Sequence, residues 1–228
     1  MPVIKNETLR NILKYLIPFV LIPASVALGF VIFNDKRFAF VTLAVVILAF
    51  ILFIAGFESK KTGSRRLVLA AVFVALSVAG RFIPFFKPVT AITILAAIYL
   101  GGETGFLVGS LSAVLSNFYF GQGPWTPFQM FAWGMIGLIA GLLHRPLVKS
   151  RILLIVYGLL SGIFFSFIMD IWTVLWYNGT FDISYYLSAI TAAIPYTILY
   201  SVSNVLFLFL FAKPFGEKLS RVKIKYGV

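Results

Sequence analysis

The sequence has very little of what most protein chemistry depends on. Its 228 residues include no cysteine and a single histidine, His144, and only 11% of them are charged. Without cysteine the chain has no disulfide, no thiolate nucleophile and no thiolate metal ligand. One histidine cannot form a multi-histidine metal site. Soluble domains carry about 25% charged residues, so this scarcity of charge excludes an ordinary water-soluble fold.

Hydrophobic residues take the place of the missing charge. They make up 61% of the chain and are grouped in long runs. A helix needs about 20 apolar residues to cross a bilayer core of about 30 Å. The runs therefore predict an all-α integral membrane protein with eight transmembrane helices. The predicted spans are Tyr15–Phe33, Phe38–Phe57, Leu67–Ile83, Val89–Leu100, Gly105–Phe120, Phe128–Leu143, Ile152–Trp176 and Tyr186–Phe211.

One polar segment subdivides this predicted bundle. Glu58–Arg66 separates the first two spans from the other six. We therefore predict a two-helix membrane lead with a cytoplasmic linker in residues 1–64, and a six-helix membrane core with a basic C-terminal tail in residues 65–228. Val89–Leu100 is the shortest run, so this helix either tilts, re-enters the membrane or lies partly beneath its neighbours.

The basic residues predict how the chain is oriented. A net charge of +12 would suggest nucleic acid in a soluble protein. With a cytoplasmic N-terminus and each run crossing once, 15 of the 19 Lys and Arg residues fall on cytoplasmic segments. This bias orients membrane proteins, and the same charge attracts anionic lipid. We predict a multi-pass plasma-membrane protein with both termini in the cytoplasm and no nucleic-acid partner.

Acidic residues are too few for ordinary membrane catalysis. Of the seven, only Asp170 falls within the outer half of a predicted span. Such a residue is a candidate for function: Asp170 either binds substrate, pairs with Arg81 or Lys87, or is a hydrogen-bonded structural residue. The sequence has no paired carboxylates, Ser-His-Asp arrangement, metal-ligand cluster or Walker-type ATP motif. An enzyme is therefore disfavoured, and any ATP hydrolysis belongs to a separate subunit.

Three segments predicted to face outward combine aromatic rings with amides, glycines and prolines. They are Arg81–Pro88, Asn117–Gln129 and Trp172–Asp182. Rings give apolar contact, and amides and hydroxyls give directional hydrogen bonds, so these loops predict a ligand site. The alternative is an interfacial aromatic belt. The candidate ligand contacts are Arg81, Phe85, Phe86, Lys87, Asn117, Tyr119, Gln122, Trp125, Thr126, Gln129, Asp170, Trp176, Tyr177 and Asn178.

Small residues form a second pattern. Ala71, Ala75 and Ala79 recur every four residues and so lie on one face of the third span. Such faces let helices approach closely in lipid, and this one is either internal packing or a partner surface. Glycines in the fifth and sixth spans, such as Gly105 and Gly137, are predicted to pack internally.

Residues 65–211 resemble the substrate-binding (S) components of energy-coupling factor (ECF) vitamin transporters. The run NFYFGQGPWTPFQMFAWGMIGLIAGLL at residues 117–143 carries most of the resemblance, and the alanine stripe in RLVLAAVFVALSVAG carries the rest. The resemblance implies a six-helix fold, an outward vitamin site, a transmembrane coupling subunit and two cytoplasmic ATPases. It also implies that Ala71, Ala75 and Ala79 contact the coupling subunit. The leading pair of spans departs from the family pattern.

The substrate is less constrained than the family. The loop GQGPWTPFQM looks most like that of a cobalamin-specific member, so cobalamin is the predicted cargo, with no intrinsic cofactor. A smaller ring vitamin or a modified-base precursor stays open. Outside the resemblance, the competing functions are a stand-alone secondary transporter or channel, which the scarcity of intramembrane acids disfavours, and a membrane enzyme acting on lipid.

Overall fold

The computed structural model describes residue 4 and residues 6–32, 38–57 and 63–226. Within them the chain is a bundle of helices: α1 Glu7–Leu16, a π-helical turn Ile17–Leu21, α2 Ile22–Ile32, α3 Phe38–Phe57, α4 Gly63–Gly80, α5 Val89–Leu100, α6 Gly102–Phe120, α7 Thr126–Leu142, α8 His144–Lys149, α9 Arg151–Asn178 and α10 Ile183–Tyr226. Most of the predicted linker, and Lys36 and Arg37 of the first outer turn, lie outside the described residues.

Every apolar run of the sequence coincides with a helix in the described residues, so the all-helical prediction is confirmed there. Among the residues that the structure describes, four stretches are long and apolar enough to cross a membrane: Glu7–Gly29, Phe38–Gly56, Arg151–Asn178 and Ile183–Val222. The helices Val89–Leu100 and Thr126–Leu142 are apolar but shorter. The total of eight spans and the cytoplasmic termini stay predictions.

The short helix α5 lies inside the bundle. Twelve residues rise only about 18 Å, which is less than the bilayer core. Ten of the 12 residues of α5 are buried, because the helix packs against α4, α6, α7 and α10. Of the alternatives that the sequence left open, burial beneath neighbouring helices is the one that the structure adopts.

Glycines hold α6 and α7 together, as predicted. A Cβ on Gly105 would lie 2.9 Å from the carbonyl oxygen of Gly137, and a Cβ on Gly137 would clash with the backbone of Gly105. Two helices can approach this closely only where neither carries a side chain at the crossing. This crossing places the loop after α6 beside the first turn of α7.

The bundle has two ends, which we call the basal end and the site end. The basal end carries the turn from α5 to α6, where Gly101 takes a φ of 104° that only glycine adopts readily. The site end carries the α4–α5 loop and the α6–α7 loop. At the basal end Glu103 lies 3.4 Å from Lys14 of α1 and 3.7 Å from Arg66 of α4, and α3 packs against α6 and α7. The lead helices are thus joined to the core.

Candidate functional site

A cleft opens at the site end between the α4–α5 loop, α5, α7, α9 and α10. It is narrow, with a cavity volume of about 40 Å³, well below the roughly 300–1,000 Å³ of sites that enclose a small molecule. Three of its lining residues, Arg81, Lys87 and Gln129, are among the predicted ligand contacts. The full lining is Arg81, Lys87, Val89, Thr90, Gln129, Trp133, Phe165, Tyr200 and Asn204.

Arg81 is positioned by the end of α4. The helix stops at Gly80, three residues before the predicted end of the span at Ile83, and Pro84 and Pro88 keep the following segment out of a helix. One guanidinium nitrogen of Arg81, Nη1, donates to Asn117 Oδ1 at 2.7 Å and also to Ser116 Oγ. The rest of the guanidinium lies over the ring of Phe120, 4.7 Å from its centroid.

A buried hydrogen-bond network continues from Asn117. Its amide nitrogen donates to Thr126 Oγ1 and to Gln129 Oε1, both at 2.9 Å. The Thr126 hydroxyl donates to Gln122 Oε1 at 3.1 Å, and the Gln122 amide donates to the Val114 carbonyl at 2.7 Å. Asn117 and Thr126 are almost fully buried. The network therefore fixes the loop between α6 and α7 and presents Arg81 and Gln129 to the cleft.

Aromatic rings form one wall of the cleft. Trp133 of α7 stacks on Phe165 of α9 with a centroid distance of 4.7 Å and an interplanar angle of 17°. Tyr200 of α10 meets Phe165 edge-on at 5.6 Å. The indole nitrogen of Trp133 donates to Thr90 Oγ1 at 3.1 Å, so its polar atom is satisfied and the ring is held in place. The wall offers flat apolar surface beside polar groups.

A ladder of tryptophans lies beside the cleft. Trp125 meets Trp172 edge-on at 5.7 Å, and Trp172 stacks with Trp176 at 6.0 Å. The ladder joins the α6–α7 loop to the end of α9. None of the three lines the cleft, so Trp125 and Trp176, both predicted as ligand contacts, support the walls instead.

Other predicted contacts lie at the exposed rim. Phe85 is 72% exposed and has a φ of 63°, a conformation that is uncommon for a residue with a side chain. Tyr119 is 72% exposed and packs on Phe82 at 4.6 Å. Phe86, Tyr177 and Asn178 are exposed as well, and outside the cleft lining. The structure does not bring these residues together with Arg81 and Gln129.

Asp170 is buried in α9 but is not part of the cleft. Its Oδ2 atom has no hydrogen-bond partner in the structure. No ion pair joins Asp170 to Arg81 or Lys87 among the described residues, which removes the pairing that the sequence left open. The carboxyl remains a structural residue or a ligand contact outside this cleft.

Sequence reasoning missed six residues of the lining: Val89, Thr90, Trp133, Phe165, Tyr200 and Asn204. Thr90 and Asn204 carried a usable signal, because a polar residue inside an apolar run is expensive and tends to serve a site. Both are buried. The aromatic residues carried none, because Phe165 and Tyr200 are among many rings in apolar spans.

The alanine stripe lies on the surface. Ala71, Ala75 and Ala79 are exposed, whereas the neighbouring Ala70 is 1% exposed. The stripe therefore lies outside the core of the described bundle. Of the two alternatives for these alanines, internal packing is excluded there, and a partner surface stays a prediction.

Comparison with known proteins identifies the family. A family model described as ECF-type riboflavin transporter, S component, matches residues 61–221. The chain belongs to this family. No curated protein and no solved structure matches it. As an ECF S component the chain is a multi-pass plasma-membrane protein and a vitamin-transport subunit, not an enzyme, and S components in general work with a coupling subunit and ATPases.

The family match also bears on the cargo. The matched family is named for riboflavin, so it does not support the prediction of cobalamin that the loop at residues 121–130 suggested. The match leaves out α1, α2 and α3, the helices that depart from the six-helix pattern.

Proposed function

We propose that this S component captures a flat ring vitamin in the cleft at its site end, and that riboflavin is that vitamin. The observation that carries the proposal is the stacked pair Trp133–Phe165 beside a polar edge. A flat heterocycle gains stacking against such rings, and amide and hydroxyl groups from Gln129, Asn204 and Thr90 are suited to the carbonyl and imide atoms around its rim.

The size of the cleft favours the smaller of the two vitamins. Its cavity volume is only about 40 Å³, so the cleft has to widen even for a three-ring vitamin with a short polyol chain. A corrin macrocycle with its nucleotide arm is far larger and would have to lie mostly on the rim. Cobalamin is the second candidate, because exposed rings such as Phe85, Tyr119 and Tyr177 offer additional contact area there.

The remainder of the proposal concerns transport. We infer that a transmembrane coupling subunit contacts the face of α4 that carries Ala71, Ala75 and Ala79, and that two cytoplasmic ATPases supply the energy. Exposed small residues support this assignment, because they let a second helix approach closely in lipid. The S component would then reorient in the membrane to release the vitamin inward. Residues 1–64 form a separate lead in this proposal, and residues 65–228 form the core.

The test is vitamin binding to the purified chain with no ATPase present. Riboflavin fluorescence should be quenched on binding, and bound riboflavin should raise the melting temperature, because a ligand that binds only the folded state stabilises it. Trp133→Leu removes the stacking ring and should weaken binding at least about tenfold. Tyr196→Leu, an exposed aromatic on α10, is the control and should bind like the parent chain.

Two outcomes would contradict the proposal. If riboflavin leaves the melting temperature unchanged while cobalamin raises it, the cargo is cobalamin. If neither vitamin binds, the cleft is not a site for either, and the assignment of the lining residues is wrong.

A further inference from the structure

Two cations line the cleft, and no carboxylate lines it with them. Arg81 and Lys87 both face the ring of Phe120, at 4.7 and 5.6 Å from its centroid. The remaining lining residues are neutral. Burial lowers the pKa of the Lys87 amine, and the positive charge of Arg81 lowers it further. The cleft thus holds two positive charges that repel each other.

The protein satisfies these cations only in part. Arg81 uses Nη1 on Ser116 and Asn117, while its buried Nε has no hydrogen-bond partner. No described side chain accepts a hydrogen bond from the Lys87 ammonium, and its backbone carbonyl accepts from Ser203 at 3.3 Å. Partly buried charges are normally paired. A negatively charged group from outside the described residues would therefore complete the pairing of these cations.

We propose that Arg81 and Lys87 form an anion subsite and that the preferred ligand is a ring vitamin with a phosphate group on its side chain. This inference rests on the proposed function and adds a substrate class to it. A phosphate monoester carries a charge of about −1.5 to −2 at neutral pH, which offsets two cations, whereas a carboxylate offsets one. The Arg81 fork and the Lys87 point charge are both suited to phosphate oxygens.

The experiment measures riboflavin and riboflavin phosphate binding side by side, in maltoside detergent, which contains no phosphate. The parent chain, Lys87→Met and Lys213→Met are compared. Lys213 is exposed near the other end of α10 and serves as the matched control. Lys87→Met should weaken binding of riboflavin phosphate at least about tenfold more than binding of riboflavin, and Lys213→Met should change neither. Salt should weaken only the phosphorylated ligand strongly.

A phosphate could also come from a lipid headgroup. The comparison is therefore repeated in bilayer discs that contain phosphatidylglycerol. If the Lys87-dependent preference for the phosphorylated ligand persists there, the subsite serves the vitamin. If phosphatidylglycerol abolishes that preference, a lipid phosphate occupies the subsite and the inference is overturned.

Failure of this inference is distinguishable from failure of the function. Riboflavin binding with equal losses for both ligands in Lys87→Met would overturn the phosphate subsite and leave the riboflavin site standing. Absence of binding by both ligands in the parent chain would overturn both. Lys87 carries the test because Arg81 also holds the loop, and its replacement risks misfolding.

Discussion

The two ends of the bundle differ in whether a carboxylate pairs with their cations. At the basal end Lys14 and Arg66 share one carboxylate, Glu103. At the site end Arg81 has neutral hydrogen-bond acceptors, and Arg81 and Lys87 both face an aromatic ring. No described carboxylate pairs with either cation. The Arg66 side chain is 2% exposed, so the folded state depends on Glu103 to offset its positive charge. The charges at the cleft remain available to something that binds.

Charge balance therefore distinguishes the cations that stabilise the fold from those that are available to a ligand. A buried charge left without a partner is strongly unfavourable, so proteins retain one only where a ligand completes the site or where water reaches it. Both Arg81 and Lys87 are only partly buried, which lets water satisfy them until a ligand arrives. At the basal end Glu103 supplies the opposite charge, although no guanidinium nitrogen of Arg66 has a hydrogen-bond partner among the described residues. The cluster joins the lead helix α1 to the core helices α4 and α6.

The largest effect is expected from breaking the basal cluster. Glu103→Gln keeps the shape of the side chain and removes the charge that Lys14 and Arg66 share, so two cations are left close together. Only the Arg66 side chain of this cluster is fully buried, and leaving a buried charge without its partner costs about 3 kcal/mol. Thermal unfolding of the purified chain in detergent measures this as a lower melting temperature.

Glu217→Gln is the control for this prediction, because Glu217 is exposed on α10. It should melt like the parent chain. Equal melting temperatures for Glu103→Gln and the parent would mean that the basal cluster does not hold the lead to the core. The basal ion pairs would then not stabilise the fold.

A smaller effect is expected at the site end from Asn117→Leu. The change leaves Arg81 Nη1, Thr126 and Gln129 without one hydrogen-bond partner each. Orphaned buried polar groups cost about 1 to 3 kcal/mol. We expect destabilisation of about 2 kcal/mol, together with weaker vitamin binding because Arg81 and Gln129 lose their positions.

Denaturation and riboflavin titration measure the two effects separately. Asn11→Leu, at an exposed position of α1, is the matched control. Unchanged riboflavin binding by a folded Asn117→Leu variant would show that the network does not position the cleft residues.

Most of the helical architecture could be predicted from the sequence, whereas most of the cleft lining could not. Apolar runs predicted every long helix because span length and hydrophobicity are properties of consecutive residues. The glycines of α6 and α7 were readable for the same reason, since their spacing repeats along one helix face. The basal pairing of Glu103 was not predicted, because Lys14 and Arg66 are far from it along the chain.

The sequence predicted those site residues that lie close together both along the chain and in the structure. The sequence predicted two outward segments that contain Arg81, Asn117, Gln122, Thr126 and Gln129, and the structure joins these residues in one network at the ends of α4, α6 and α7. Thr90, Phe165, Tyr200 and Asn204 come from helices whose faces toward the cleft depend on how the bundle packs. A single apolar span does not reveal which of its faces meets a cavity.

The smallest effect on folding and binding is expected from Ala75→Leu, because Ala75 lies on α4 between the Glu103 cluster and the cleft and belongs to neither. Ala75 is exposed on α4 and is not a lining residue of the cleft. Because the position is exposed, the melting temperature and riboflavin affinity should stay within the range of ordinary surface changes, about 0.5 kcal/mol.

Transport should respond differently to the same change. If α4 meets the coupling subunit through its small residues, leucine at position 75 holds the two helices apart, and vitamin uptake in cells should fall severely although binding is intact. Ala192→Leu, an exposed alanine on α10, is the matched control and should support normal uptake. Normal uptake by Ala75→Leu would place the coupling subunit on another face of the bundle, whereas lost binding would mean that the α4 surface and the cleft are not independent.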